Sequence, residues 1–189
     1  MIQRLDTLRR EDGLGIIELV IAIAIMNVAI FAMFAMFQAG GLSILRASRT
    51  SNAAVLGEKQ MELYRAMLYN DIRLNSTLVA SADAVHINGP PVPPEWGSVA
   101  NQVTDTSTPT CSSTLPECVP VQALVTGSDN RTYRIDTYIT ANTPAGGRAG
   151  KQVTVYVRLA SDLSRVLAKL TSNFDRATGC IEGSTSNPC

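Results

Sequence analysis

Residues 14–37 read LGIIELVIAIAIMNVAIFAMFAMF. From Leu14 to Leu45, 25 of 32 residues are apolar and Glu18 is the one charge. About 20 such residues, at 1.5 Å each, cross the hydrocarbon core of a bilayer. The densest part, Leu19 to Phe37, therefore predicts a membrane-spanning helix, and three of the four Phe (Phe31, Phe34, Phe37) lie in it. A secretory signal peptide is the competing reading, with Ala39-Gly40-Gly41 as its small-residue site. Its apolar region, however, runs to about 7–15 residues. This block is longer, and Glu18 interrupts its start.

Outward from the block, Gly40, Gly41 and Gly57 soften a helix by roughly 1 kcal/mol each relative to Ala. Nothing between Gly15 and Asn75 breaks it decisively. Ala53, Leu56, Met61, Tyr64, Leu68 and Ile72 recur at spacings of three to five, with Glu58, Lys59, Glu62 and Arg65 between them. That is the pattern of an amphipathic helix. Residues 14–45 thus read as the membrane half of one long helix and 46–75 as its amphipathic half. Sixty helical residues reach about 90 Å, of which about 30 Å fits in lipid. The remainder needs a partner along its apolar stripe.

Residues 76–120 show little periodicity, with Pro90, Pro91, Pro93 and Pro94 crowded together and Ser/Thr enriched from Thr104 to Thr114. They read as a long loop, in which Trp96 anchors to the core and His86 lies at the surface. Residues 121–189 alternate instead. Val121, Ala123 and Val125 suggest a short strand. Tyr133, Ile135, Thr137 and Ile139 face one way, and Arg134, Asp136 and Tyr138 the other. Val153, Val155, Val157 and Leu159 follow a Gly-rich turn, and Val166, Ala168 and Leu170 indicate a last strand. Period-2 alternation with one apolar face implies an antiparallel sheet covered on one side. The helix stripe is the cover, which gives an α+β fold.

The whole-chain figures narrow the functions. The chain has 189 residues, 16 basic and 16 acidic side chains, and one His. Zero net charge removes whole-protein attraction to nucleic acid, so nucleic acid is not an expected partner. One His makes multi-His metal centres improbable. No phosphate-binding Gly loop or nucleophile elbow occurs. The chain is expected not to be an enzyme, with no catalytic residue, metal or cofactor. Charge is segregated, however. Residues 75–130 hold five acids and no base, whereas Arg131–Arg176 holds eight bases and three acids. An ordinary solvated surface explains this. The sharper reading has the acidic loop of one subunit meeting the basic sheet of the next, where Arg134, Arg158, Tyr138 and Tyr156 share one face. Four Cys allow three connectivities. The favoured one is Cys111–Cys118 with Cys180–Cys189, because both pairs lie in Gly/Ser/Pro-rich segments outside the sheet. Disulfides fit an extracytoplasmic location.

The run Glu11-Asp12-Gly13-Leu14-Gly15-Ile16-Ile17-Glu18-Leu19-Val20 resembles the prepilin signature of type IV pilins and type II secretion pseudopilins. That family has a short polar leader ending in Gly, then an apolar segment whose fifth residue is Glu. The resemblance implies a leader of residues 1–13, cleavage between Gly13 and Leu14 by a prepilin peptidase, and N-methylation of Leu14. It also implies a role for Glu18 in assembly, paired with the N-terminal ammonium of a neighbouring subunit. Gly15 stands where Thr or Ser is common, and the usual mid-segment Pro is absent. The implied fold is pilin-like. The implied partners are other pilin subunits, the peptidase, a membrane assembly platform and, before assembly, the lipid bilayer. The implied place is the bacterial inner membrane, single-pass with the N-terminus cytoplasmic, where Arg4, Arg9 and Arg10 agree with the positive-inside rule. A mature chain with an unusual loop suits a minor pilin or pseudopilin better than a major pilin. An anchored extracytoplasmic binding module is the alternative from another class.

Overall fold

The computed structural model describes residues 15–88, 101–105, 111–142 and 149–175. A single helix, α1, runs from Ile16 to Arg65. Two compact units divide the chain, Met1–Arg46 and Ala47–Cys189, and α1 contributes to both.

In the first unit every described residue of α1 is exposed, including Phe31 at 74% and Phe37 at 78%. Among the described residues α1 is the one helix long and apolar enough to cross a membrane.

In the second unit α1 buries Ala53, Leu56, Gly57, Gln60, Met61 and Tyr64. Spacings of one and three place them on one stripe. Gly57 sits where the helix comes closest to the sheet. A Cβ there would meet Leu170 Cδ1 at 2.3 Å. The helix stops at Arg65, ten residues short of the expected Asn75. Met67 N–H closes back on the Tyr64 carbonyl at 3.2 Å, and Leu68 is extended. Asn70, Asp71 and Asn75 favour turns over helix. The redirected chain, with a 3₁₀ turn at Tyr69–Asp71, carries Tyr69, Ile72 and Leu74 into the core. Lys151 fastens this segment by donating to the Tyr69 and Ile72 carbonyls, both at 2.7 Å. Burial, helped by the Arg73 charge, pushes its amine down to about 8.

The expected loop at 76–120 contains short helical elements among its described residues. It holds α2 (Ser76–Ala80), α3 (Ala84–Asn88) and a 3₁₀ turn at Pro116–Cys118. Isolated bridges join Leu74 to Thr104 and Gln102 to Thr140. Trp96 and the Pro cluster lie outside the described residues.

Four strands follow: β1 (Val121–Thr126), β2 (Thr132–Asn142), β3 (Gly150–Leu159) and β4 (Asp162–Asp175). They form one antiparallel sheet in the order β1-β2-β3-β4. Register sets Ile135 opposite Val157 and Ile139 opposite Val153 on β2 and β3, and Val155 opposite Leu170 on β3 and β4. These residues pack with the α1 stripe in one core. The α+β layout is therefore a long N-terminal helix on a four-stranded antiparallel sheet. One expectation fails: the sheet is not covered on a single side. Residues Tyr133–Thr140 are all buried, as are Val153–Arg158. The second face carries the polar half of the alternation, and it too has a cover.

Candidate functional site

Among the described residues, α3 and the residue before it, Asp83, lie on that second face. Register places Arg134 opposite Arg158 and Asp136 opposite Tyr156. Residues two apart on a strand share a face, so Arg134, Asp136 and Tyr138 line up with Tyr156 and Arg158. Arg134 grips Asp83 with both terminal nitrogens, Nη1 donating to Oδ2 at 2.6 Å and Nη2 to Oδ1 at 2.7 Å. Its Nε and Nη2 also donate to Asp136, at 3.0 and 2.8 Å. Arg158 Nη1 donates to the other Asp136 oxygen. His86 Nδ1 lies 3.3 Å from Asp136 Oδ1. The His86 ring stacks on Tyr138 at 4.3 Å between centroids, and the Tyr138 hydroxyl donates to the His86 carbonyl at 2.8 Å.

Two guanidinium groups thus face two carboxylates, with Asp136 and Arg158 wholly buried. The Arg134 guanidinium beside Asp83 holds that carboxyl down at about 2. Burial alone would raise Asp136, but hydrogen bonds from His86 and Arg134 and the two Arg charges outweigh it, and its carboxyl lies below the usual range. Hydrogen bonds to Asp83 raise Arg134. A buried charge is tolerable when it is paired and hydrogen-bonded, and the cluster meets both conditions.

This corrects two expectations. His86 is fully buried rather than at the surface. Arg134, Arg158, Tyr138 and Tyr156 do share a face, but they are buried, and the acid that meets Arg134 is Asp83 of the same chain. An acidic loop and a basic sheet do meet, within one chain.

A second constellation surrounds Cys111 and Cys118, which form a disulfide with Cα atoms 5.5 Å apart. The loop they close turns its carbonyls toward α1 and its neighbours. Gln60 Nε2 donates to the Pro116 carbonyl at 3.0 Å and the Tyr64 hydroxyl to the Glu117 carbonyl at 2.7 Å. Asn75 donates twice, Nδ2 to the Cys111 carbonyl at 2.6 Å and its backbone N–H to the Cys118 carbonyl at 2.9 Å. Its Oδ1 caps α2 by accepting from Leu78 N–H. Asp105 accepts from the Ser76 and Cys111 N–H groups. Burial opposes the charge of Asp105, yet these donors hold its carboxyl below the usual range. Burial pushes the Tyr64 hydroxyl well above its ordinary value.

In the first unit Glu18 sits in the first turn of α1, exposed. Its N–H and that of Leu19 both bond the Gly15 carbonyl, at 2.9 and 3.2 Å. The positive end of the helix dipole favours a carboxylate there. The remaining expected site residues, Gly13, Leu14, Cys180 and Cys189, lie outside the described residues. Among the described residues, no group of three or more His, Cys, Asp or Glu is placed to hold a metal ion. Sequence reasoning missed Asp83, Gln60, Asn75 and the burial of His86. A signal for the charge cluster did exist. Arg134 and Asp136 two apart on a strand, with Arg158 on the next, bring opposite charges onto one sheet face.

Comparison with protein-family models, with curated proteins and with solved structures finds no match to this chain.

Proposed function

We propose that this chain is a structural subunit of a type IV pilus-like filament, a minor pilin or pseudopilin that primes or caps assembly. The observation that carries the proposal is one continuous run. A polar leader ends at Gly13, an apolar segment follows with Glu18 in fifth place, and a single helix continues from Ile16 to Arg65. The outer part of that helix packs on an antiparallel sheet, which supports the same reading. On this proposal the chain is anchored by one span in the bacterial inner membrane with its N-terminus in the cytoplasm. The peptidase cuts between Gly13 and Leu14 and methylates Leu14. Glu18 then pairs with the ammonium of a neighbouring subunit, where each charge relieves the cost of holding the other in lipid. The chain works by holding partners, not by catalysis.

Processing tests it. Co-expressed with a prepilin peptidase, the wild type yields a mature N-terminus at Leu14 by mass spectrometry, and Gly13→Ala stays full length. Identical sizes for the two chains sink the proposal and favour the single-pass anchored binding module. Abundance in sheared filaments separates the minor from the major subunit: a dominant band there makes it the major pilin.

A further inference from the structure

Asn27 is an exposed polar residue in the middle of the apolar half of α1. It lies about 12 Å along the helix from Leu19 and about 15 Å from Phe37, so the proposed span puts it close to the bilayer midplane. A primary amide has two N–H donors and one carbonyl acceptor. Lipid tails offer it neither donor nor acceptor. Residues four and seven positions away share its face of the helix: Val20, Ile23, Phe31 and Phe34, all exposed. Gln38 follows on that face three turns later. Glu18, nine residues back, falls on the opposite side. The Asn27 face is therefore separate from the one that carries Glu18.

We infer that Asn27 pairs with Asn27 of a second copy of this chain, in a parallel, side-by-side helix pair inside the bilayer. The amide is self-complementary, since each copy offers both a donor and an acceptor. Two copies inserted in the same sense bring the amides to equal depth without any shift. Val20 and Ile23 on one side and Phe31 and Phe34 on the other supply apolar packing around the hydrogen bonds. Side-chain hydrogen bonds between membrane helices stabilise association modestly, which suits a contact that forms and later rearranges.

This inference rests on reading the apolar half of α1 as a membrane span, and the test separates the two. The full chain is fused at its N-terminus to a donor or an acceptor fluorescent protein and reconstituted in phosphatidylcholine vesicles. Insertion is read by flotation after an alkaline carbonate wash, and pairing by energy transfer across a range of protein-to-lipid ratios. The expected result is that wild type, Asn27→Leu and Asn27→Gln all float. Asn27→Leu then needs about 3- to 10-fold more protein per lipid to reach half-maximal transfer, while Asn27→Gln stays near wild type. Inserted wild type with no transfer overturns the pairing. Equal transfer by wild type and Asn27→Leu also overturns it, with the span intact. Failure of the wild type to float overturns the span itself.

Discussion

Between Leu19 and Phe37 every residue of α1 but Asn27 is apolar, and the stretch is exposed on every side. Between Ala53 and Tyr64 the same helix is apolar on one stripe, and that stripe is buried. Both stretches belong to one continuous helix, which is not broken at Gly40, Gly41 or Gly57. The difference is what each can bury against. The outer stretch matches one sheet, with Gly57 leaving room for Leu170. The inner stretch is exposed on every side and is long and apolar enough to cross a membrane. Arrangement, not apolar content, separates the buried stretch from the exposed one.

Four measurements break or sharpen that contrast, each made on the full chain in detergent micelles. The largest effect belongs to Asp136→Ala. It leaves Arg158 buried without its carboxylate, and chemical denaturation should report a loss of about 3–5 kcal/mol for the outer unit. The apolar half of α1 should keep its helical circular dichroism. Collapse of both together would refute their independence. Next comes replacement of Cys111 and Cys118 by Ala, which frees a small loop and should cost about 2.5 kcal/mol in the chain-entropy model. No change under reducing conditions in the wild type would show that the loop is held by its hydrogen bonds instead.

The third is a paired substitution. Gly57→Leu drives a side chain into Leu170 and should cost about 1–3 kcal/mol. Gly40→Leu enters open space and should leave melting of the outer unit unchanged. Equal costs would erase the contrast between the two stretches. The smallest effect is that of Asp83→Asn. The Asp83 side chain is half exposed, so water screens the pair, and a loss of under about 1 kcal/mol is expected at neutral pH. Its pH dependence is the better test. Asp83, Asp105 and Asp136 have folded-state pKa values below the ordinary 3.8, so the unfolded chain binds more protons as pH falls. The stability they contribute is present above the ordinary carboxylate range and is lost as pH falls below it, for Asp83 as pH falls toward about 2. Denaturation midpoints that stay flat across that interval would contradict the assignment.

Much of the fold was legible because its signals are local. The apolar block announces itself by length. Alternation in Tyr133–Ile139 and Val153–Leu159 marks the two central strands, and the stripe from Ala53 to Tyr64 marks their cover. What stayed hidden depends on residues distant in sequence. His86 reads as a surface residue until β2 brings Asp136 and Tyr138 beneath it from fifty residues away. Alternation identified the two faces of β2 but not that the polar face would be covered, because the cover is a five-residue helix with no periodic signature. The helix end at Arg65 was equally obscure. Leu68 and Ile72 keep the helical spacing, and only the packing of Ile72 and Leu74 in the core shows that the chain has turned. Asn75 gave no hint of its role, since three of its polar groups find partners in three different places.

The fit of Gly57 against Leu170 also has a consequence in time. The ribosome makes the helix stripe first and its counterpart on β4 more than a hundred residues later, roughly 5–20 s at ordinary elongation rates. The sheet then assembles quickly, because each strand pairs with the one just made. Through that interval Ala53, Leu56, Met61 and Tyr64 have no sheet to rest on. The newborn chain carries a bare apolar stripe beside its apolar N-terminal stretch until the strands of the sheet are made.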